Sequence, residues 1–324
     1  MSGADDRPVD EFEAIARLMR PLAAGAPGAF DLLDDAAVIP SKPGFDLVVS
    51  KDAMVEGVHF PPGMARDLVA RRLLRTNLSD LAAKAAEPFG YLLAIAWPHG
   101  AAWSEREAFA KGLAEDGERF GLSLFGGDTV STAGPLTVSA TILGWTPQGG
   151  MIRRGGARAG DMLAVSGAIG DGGLGLAEVG RADPDPWLLN RYHLPDPRLG
   201  LRDGLRAYAR AAADVSDGLV ADAGHLATAS GLGLTLHLSA MPVSEPGTAW
   251  LHRQLDRAAA LTHLATCGDD YEVVLAVAPE DLAALQAAAD VPITAIGRFE
   301  AGQGVRVTLD GVELRLSRAG YVHD

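Results

Sequence analysis

The stretch Trp145-Thr-Pro147-Gln-Gly149-Gly150-Met-Ile-Arg-Arg154-Gly155-Gly156-Ala-Arg-Ala-Gly160 decides the reading of the fold. One proline and five glycines in so short a run interrupt any regular element, so the run reads as a domain boundary. It divides the 324 residues into nearly equal parts, and we set the domains at 1–148 and 149–324, each long enough to bury its own core. To its left, Phe12, Ile15, Ala16 and Met19 mark one face of a short helix ended by Pro21, and Leu47–Ser50 reads as a strand. A helix over Asp67–Ala86 carries Leu73, Leu74, Asn77, Leu81 and Ala85 on one side and stops before Pro88. Tyr91–Ala96 reads as a strand, Ser104–Phe120 as a helix capped by Ser104, Ser123–Phe125 as a short strand ending at Gly126-Gly127-Asp128-Thr129, and Leu136–Leu143 as a strand. To its right come a strand at Met162–Ser166, a glycine-rich tract, a proline-rich stretch from Pro184 to Pro197, and helices at Leu199–Ala212 and Leu219–Ser230, the second closed by Gly231. Strands at Gly233–Leu238, Glu272–Val277, Ile293–Phe299 and Val305–Leu309, a helix at Pro279–Ala289 and a two-residue hairpin at Asp310-Gly311 complete it. Strands and helices mix in each half without strict alternation, which predicts an α+β (mixed α/β) protein of two domains.

Composition narrows the partners. Lys and Arg number 28 against 42 Asp and Glu, a formal charge of −14. An acidic chain of this kind lacks the basic face that nucleic acid or an anionic membrane requires, so a phosphate ligand would need metal cations to join it. The single cysteine, Cys267, excludes an internal disulfide and a cysteine-built zinc site, and fits a reducing compartment. Residues 1–10 include Asp5, Asp6 and Asp10 and no apolar run, so no signal peptide is expected, and no apolar stretch reaches the ~18 residues of a membrane span. The expectation is a cytoplasmic protein.

Aspartates recur in short clusters: Asp34-Asp35, Asp52, Asp80, Gly127-Asp128, Asp214-Val-Ser216-Asp217-Gly218 and Gly268-Asp269-Asp270. Singly, each reads as a cap or a turn. Collectively, Asp52, Asp128 and Asp214 follow apolar stretches where the chain leaves a core, and Asp80 shares a helix face with the apolar stripe through Asn77. Converging carboxylates repel by up to about 4 kcal/mol per pair at ~4 Å unless cations or protons compensate. Magnesium, a hard ion that takes one or two carboxylates plus substrate phosphates, is the natural partner, and this many aspartates call for more than one ion. His59, in Glu56-Gly57-Val58-His59-Phe60, is either a packed polar residue or part of the site. Arg153-Arg154 is either solvated or a fork for an anionic tail. Gly170-Asp-Gly172-Gly-Leu-Gly175 matches a dinucleotide fingerprint but lacks the second strand with a terminal acid that such a site needs, and Cys267 reads as a small filler. No Walker loop, nucleophile elbow, kinase His-Arg-Asp or His-Glu-x-x-His is present.

Taken in order, Ser50-Lys51-Asp52, Glu56 to Phe60, Asn77-Leu-Ser-Asp80-Leu-Ala-Ala, Gly126-Gly-Asp128-Thr, Asp214-Val-Ser216-Asp217-Gly-Leu, Gly268-Asp-Asp-Tyr-Glu272 and Gly320-Tyr321-Val-His323 resemble the motif series of the thiamine-monophosphate kinase family. That family belongs to the aminoimidazole-ribonucleotide-synthetase-like group of ATP-using enzymes. The resemblance spans nearly the whole chain. It implies an N-terminal sheet-plus-helices domain that forms a homodimer and the ATP and magnesium site, with a C-terminal α/β domain packed against it to complete the nucleotide and substrate site. It implies direct transfer of the ATP γ-phosphoryl group onto thiamine monophosphate, with no protein nucleophile. Carried over by position, several Mg2+ ions fall on Asp35, Ser50, Lys51, Asp52, Asp80, Asp128, Asp214 and Asp217, with Asp52, Asp80 and Asp128 organising the transfer. ATP falls on Gly127, Asp128, Arg154 and Ser216, and thiamine monophosphate on His59, Asp269 and Tyr321.

The sequence departs from the family pattern at Leu33 and Lys51, which stand for Gly and Thr, at Cys267 and Asp269, which stand for Gly and Glu, and at the final Asp324, where Phe is common. At position 51 a side-chain hydroxyl ligand would be lost and a backbone carbonyl ligand kept. Other readings are a sister enzyme of the same superfamily and a non-catalytic protein that holds ATP or divalent ions.

Overall fold

The computed structural model describes residues 10–321; Met1 to Val9 and Val322 to Asp324, including His323 and Asp324, lie outside the described residues. Two sheets and helices arranged without strict alternation give the α+β class expected. The chain separates into two compact units, one running to Leu81 and resuming over Glu87–Gly149, the other combining Ala82–Ala86 with the chain from Gly150 on. Among the described residues no helix is long and apolar enough to cross a membrane.

In the first unit a short helix α1 (Glu11–Ala14) runs on through π and 3-10 turns to Ala23, so Pro21 sits inside the helical run rather than ending it. Then follow β1 (Phe45–Val55), α2 (Arg66–Ala83), β2 (Glu87–Pro98), α3 (Trp103–Phe120), β3 (Ser123–Thr132) and β4 (Thr137–Pro147). The sheet order is β1-β4-β2-β3, with β2 and β3 parallel across the α3 crossover and the other neighbours antiparallel. The periodic apolar stripe of α2 is what makes it a core helix: Leu73, Leu74, Leu78 and Leu81 are fully buried, as is Asn77 among them. Helix α3 starts one residue earlier than the sequence suggests, because the Glu105 carboxylate accepts the Ala102 N–H (3.0 Å) and takes the capping role from Ser104. Strand β3 does not end at Phe125. It continues through Gly126 to Thr132, because glycine permits the close approach of β2: a Cβ on Gly127 would strike the Leu93 carbonyl.

The second unit holds β5 (Met162–Ser166), α4 (Asp171–Glu178), α5 (Pro186–His193), α6 (Arg202–Tyr208), β6 (Ala209–Asp214), α7 (Leu219–Ser230), β7 (Gly233–His237), α8 (Glu245–Leu251), α9 (Arg257–Thr266), β8 (Val273–Val277), α10 (Leu282–Ala288), β9 (Ile293–Glu300), β10 (Gly304–Leu309) and β11 (Val312–Leu314). Seven strands pair in the order β11-β10-β7-β9-β5-β8-β6. The expected helix over Leu199–Ala212 is corrected here. It stops at Tyr208, and Ala209–Asp214 is an edge strand against β8. Alanine's helix propensity, a few tenths of a kcal/mol per residue, loses to a row of ladder bonds and to burial of Ala211, Ala212 and Ala213 in the sheet. Helix α7 forms over the residues its stripe marks and ends on left-handed Gly231, and Asp310-Gly311 (φ 51° and 84°) turns the β10–β11 hairpin.

Candidate active site

Strand alternation and helical spacing build the first group. Ser50 and Asp52, two apart on β1, share a face, and Asn77 and Asp80, three apart on α2, share another. The faces meet: the Ser50 hydroxyl donates to Asp80 Oδ2 at 2.5 Å, and the Asp52 N–H donates to Asn77 Oδ1 at 3.1 Å. Burial, and then the charge of Asp80, push the Asp52 carboxyl up to about 6. Two carboxylates and a hydroxyl, all hard oxygen donors, with one acid already disfavoured as an anion for want of countercharge, suit a magnesium ion. Lys51 points the other way along the strand. Its ammonium donates to Ser139 Oγ at 2.8 Å, so toward this group it offers only its backbone carbonyl.

His59 sits on the loop after β1. Its Nδ1 accepts the Val55 N–H at 3.0 Å, which leaves the ring proton on Nε2 and makes the outer edge a donor. Glu56 closes the same loop, accepting from Gly63 N–H at 2.9 Å and Arg66 Nη1 at 3.1 Å.

A second group lies on β3. Gly127 and Asp128, with Asp35, line a cavity of about 410 Å³ whose walls include Leu18, Met19, Trp97 and Phe125. One register row, Asp52–Ala140–Leu93–Gly127, crosses the four strands, so Asp52 and Gly127 are three strand spacings, or about 14 Å of sheet, apart. Asp128 is one step further, in the row of Ala94, Ser139 and Ala53, and hence on the opposite face. Within one chain the carboxylates of this unit thus form two groups rather than one. Leu33 needs no glycine: the left-handed residues of that turn are Phe30, Asp31 and Leu32, and Leu33 itself is right-handed.

In the second unit, Asp214 ends β6 and Val215 to Gly218 lead into α7. Three carbonyls of this loop are taken by distant segments. Val215 O accepts Tyr271 N–H (2.8 Å), Ser216 O accepts Asp269 N–H (2.9 Å) and Asp217 O accepts Tyr321 N–H (2.8 Å). The approach is close enough that a Cβ on Gly268 would meet Ser216 O at 2.5 Å and one on Gly320 would meet Asp217 O at 2.6 Å. Ser216 and Asp217 are therefore knitted to Asp269 and Tyr321 by main-chain bonds, and Asp214, paired with Val273 on β8, ends its strand just before them. Asp217, Asp222 and His225 also bring one ligand atom each within 4.8 Å of one another. Arg154 is exposed, beside Arg153, whose carbonyl accepts the Ala212 N–H at 3.0 Å.

The strap 268–272 has anchors that the sequence did not reveal. Glu272, fully buried, receives Arg191 Nη2 (3.1 Å), Arg198 Nε (2.6 Å) and the Ser166 hydroxyl (2.6 Å), with a further close contact from Arg198 Nη2. Asp270 accepts the Gly170 and Gly172 N–H groups, and its burial pushes its carboxyl up to about 8. With both flanks pinned, Asp269 (φ 65°) and Tyr271 (φ 51°) hold left-handed backbones, and the Tyr271 hydroxyl donates to Asp269 Oδ1 at 3.1 Å. The glycine tract is a cradle for this strap rather than a nucleotide loop: a Cβ on Gly172 would enter the Asp269 carbonyl, and one on Gly173 would enter Cys267 Sγ. Cys267 is a packed filler, its thiol raised by burial. Partners of this kind, 74 to 106 residues apart, leave no periodic trace in the sequence; Asp222, in the first turn of α7, was the one within local reach.

Residues 33–146 match the model of the N-terminal domain of AIR synthase related proteins and residues 158–310 that of the C-terminal domain. The chain belongs to the AIR synthase related family. A curated thiamine-monophosphate kinase of Caulobacter vibrioides is 56% identical over 321 residues, 98% of this chain and 91% of that one. Within the family the chain belongs to the thiamine-monophosphate kinases, phosphotransferases with a phosphate group as acceptor. The thiamine-monophosphate kinase of Stenotrophomonas maltophilia K279a is similar in structure, with TM-score 0.75, 36% identity and coverage of 86% of this chain and 90% of that one. So is AaThiL complexed with AMPPCP and TMP, with TM-score 0.77, 26% identity and coverage of 92% and 97%.

Proposed function

We propose that the protein transfers the γ-phosphoryl group of ATP in line onto the phosphate of thiamine monophosphate, giving thiamine diphosphate and ADP. An acceptor phosphate oxygen forms a bond to Pγ while the bond from Pγ to the β–γ bridging oxygen breaks. The acceptor is already largely ionised near neutral pH, since a phosphate monoester's second pKa is about 6, so no strong general base is needed. Transfer of this kind depends on placement and charge neutralisation. The observation that carries the reading is the meeting of Ser50, Asp52 and Asp80, an oxygen-only cluster with a raised acid. Asp35, Ser50, the Lys51 carbonyl, Asp52, Asp80, Asp128, Asp214 and Asp217 would hold Mg2+, and the separation of Asp52 from Asp128 is why one ion does not serve them all. Bound there, magnesium would neutralise the phosphate oxygens and hold them in line.

In this reading Gly127, Asp128, Arg154 and Ser216 bind ATP, and the apolar walls of the β3 cavity suit its base. His59 donates from Nε2 to the substrate phosphate. Asp269 faces the thiazolium cation, with Tyr321 as the aromatic beside it. Residues 1–148 form the ATP, magnesium and dimerisation domain, and 149–324 carry the remaining nucleotide and substrate residues. A homodimer is supported by an exposed apolar face of the first sheet, where Phe45, Leu47, Val49, Leu92 and Val130 lie on one side together with Asp128. The single cysteine, which fits a reducing compartment, supports a cytoplasmic enzyme. Incubation with ATP, Mg2+ and thiamine monophosphate should yield thiamine diphosphate, followed by chromatography, and EDTA or omission of ATP should abolish it. No product in the complete mixture overturns the reading.

A further inference from the structure

Asp222 is a carboxylate outside the ligand set above, yet it is only 1% exposed. Its Oδ2 accepts three consecutive main-chain N–H groups, Ser216 at 3.0 Å, Asp217 at 3.1 Å and Gly218 at 3.2 Å. Three converging donors at the N-terminus of α7 define a nest that a carboxylate oxygen fills. Burial, and then the charge of Asp217, push this carboxyl up to about 7, against the three N–H groups that pull it down. The same loop has its carbonyls engaged from the other side by Tyr271, Asp269 and Tyr321. One oxygen therefore gathers the amide edge of a loop whose carbonyl edge holds the substrate segments. Gly218 (φ 130°), on which a Cβ would meet Thr266 Cα at 3.0 Å, lets the chain turn into the helix while its N–H donates to the Asp222 carboxyl.

We propose that Asp222 is a positioning residue of the kinase: by clamping the amides of Ser216, Asp217 and Gly218, it fixes the nucleotide and metal loop in register with Asp269 and Tyr321. Its identity as a kinase positioning residue rests on the function proposed above, but the clamp does not, and the two are tested separately. The clamp predicts a joint effect. When the anchor is removed, the amides of 216–218 and the amides of Asp269, Tyr271 and Tyr321 loosen together, although the second set never touches Asp222.

The experiment compares wild type, Asp222→Ala and Asp222→Asn by hydrogen–deuterium exchange with mass spectrometry, by steady-state kinetics in ATP, thiamine monophosphate and Mg2+, and by thermal melting. Asp222→Ala should raise exchange in peptides covering 215–218 and 268–271 while the β8 peptide stays protected. It should also lower kcat/KM for both substrates by about 100-fold, the cost of a small misplacement. Asp222→Asn keeps one carbonyl oxygen for the N–H groups and should recover to within about tenfold of wild type. Should Asp222→Ala fail to fold, Asp222→Asn is read against Asp217→Asn and the double variant, whose combined loss should be less than the product of the single losses. Unchanged exchange at 268–271 in a folded Asp222→Ala overturns the clamp, and so does a strictly multiplicative double variant. A wild type that makes no thiamine diphosphate but shows the joint exchange response overturns the kinase reading and leaves the clamp standing.

Discussion

At the scale of single residues, the most informative position is Asp269. It holds a left-handed backbone, and its carboxylate is held by the Tyr271 hydroxyl. Asp and Asn tolerate that conformation better than other non-glycine residues, so Asp269→Asn removes the charge without adding backbone strain. We expect it to raise KM for thiamine monophosphate about tenfold, the scale of one lost charge-assisted contact, while KM for ATP stays within twofold. A larger change in the ATP constant would move Asp269 to the nucleotide side. Position 51 shows the limit of reading residues singly. The substitution of Thr by Lys looks drastic, but strand alternation turns the ammonium away to Ser139 and leaves the carbonyl in place. The shorter acid at 269 and the leucine at 33 are likewise explained by backbone geometry that no residue name carries.

Among elements, the helices were legible where one apolar face repeats: α2 and α7 appear close to where their stripes place them. Strand β6 was not, because Ala209 to Ala213 has no alternation and its partner β8 lies more than 60 residues away. Helices α4, α5 and α8 were also missed, being short and holding glycine or proline, and so was α9, whose alanine-rich run carries no clear apolar stripe. The glycine tract is the instructive case. Its fingerprint belongs to one motif and its glycines serve another, the passage of the 268–272 strap over the start of α4. Gly172→Ala, whose Cβ would enter the Asp269 carbonyl, should lower stability by about 1–3 kcal/mol and raise KM for thiamine monophosphate, measured by melting and kinetics. Gly134→Ala, with its Cβ 3.4 Å from Thr132 Oγ1, should do neither.

For the whole molecule, association is the property to test. Val49 is 54% exposed on the apolar side of the first sheet. Asp at that position meets solvent in a monomer and apolar surface in a dimer, where an unpaired charge is costly. Wild type should sediment as a dimer and Val49→Asp as a folded monomer; a monomeric wild type at micromolar concentration would exclude the dimer. The acidic series, the family and the α+β class were determined by the sequence alone, because they rest on residue identity, order and local periodicity, which a chain carries before it folds. The tertiary structure alone decided that Asp52 and Asp128 stand on opposite faces of the sheet and on its two edge strands, that Lys51 faces away, and that Asp222, Asp270 and Glu272 fasten the loops. Those facts depend on which strands become neighbours and on which buried carboxylates find distant N–H and guanidinium partners, and long-range pairing of that kind leaves no mark in sequence spacing.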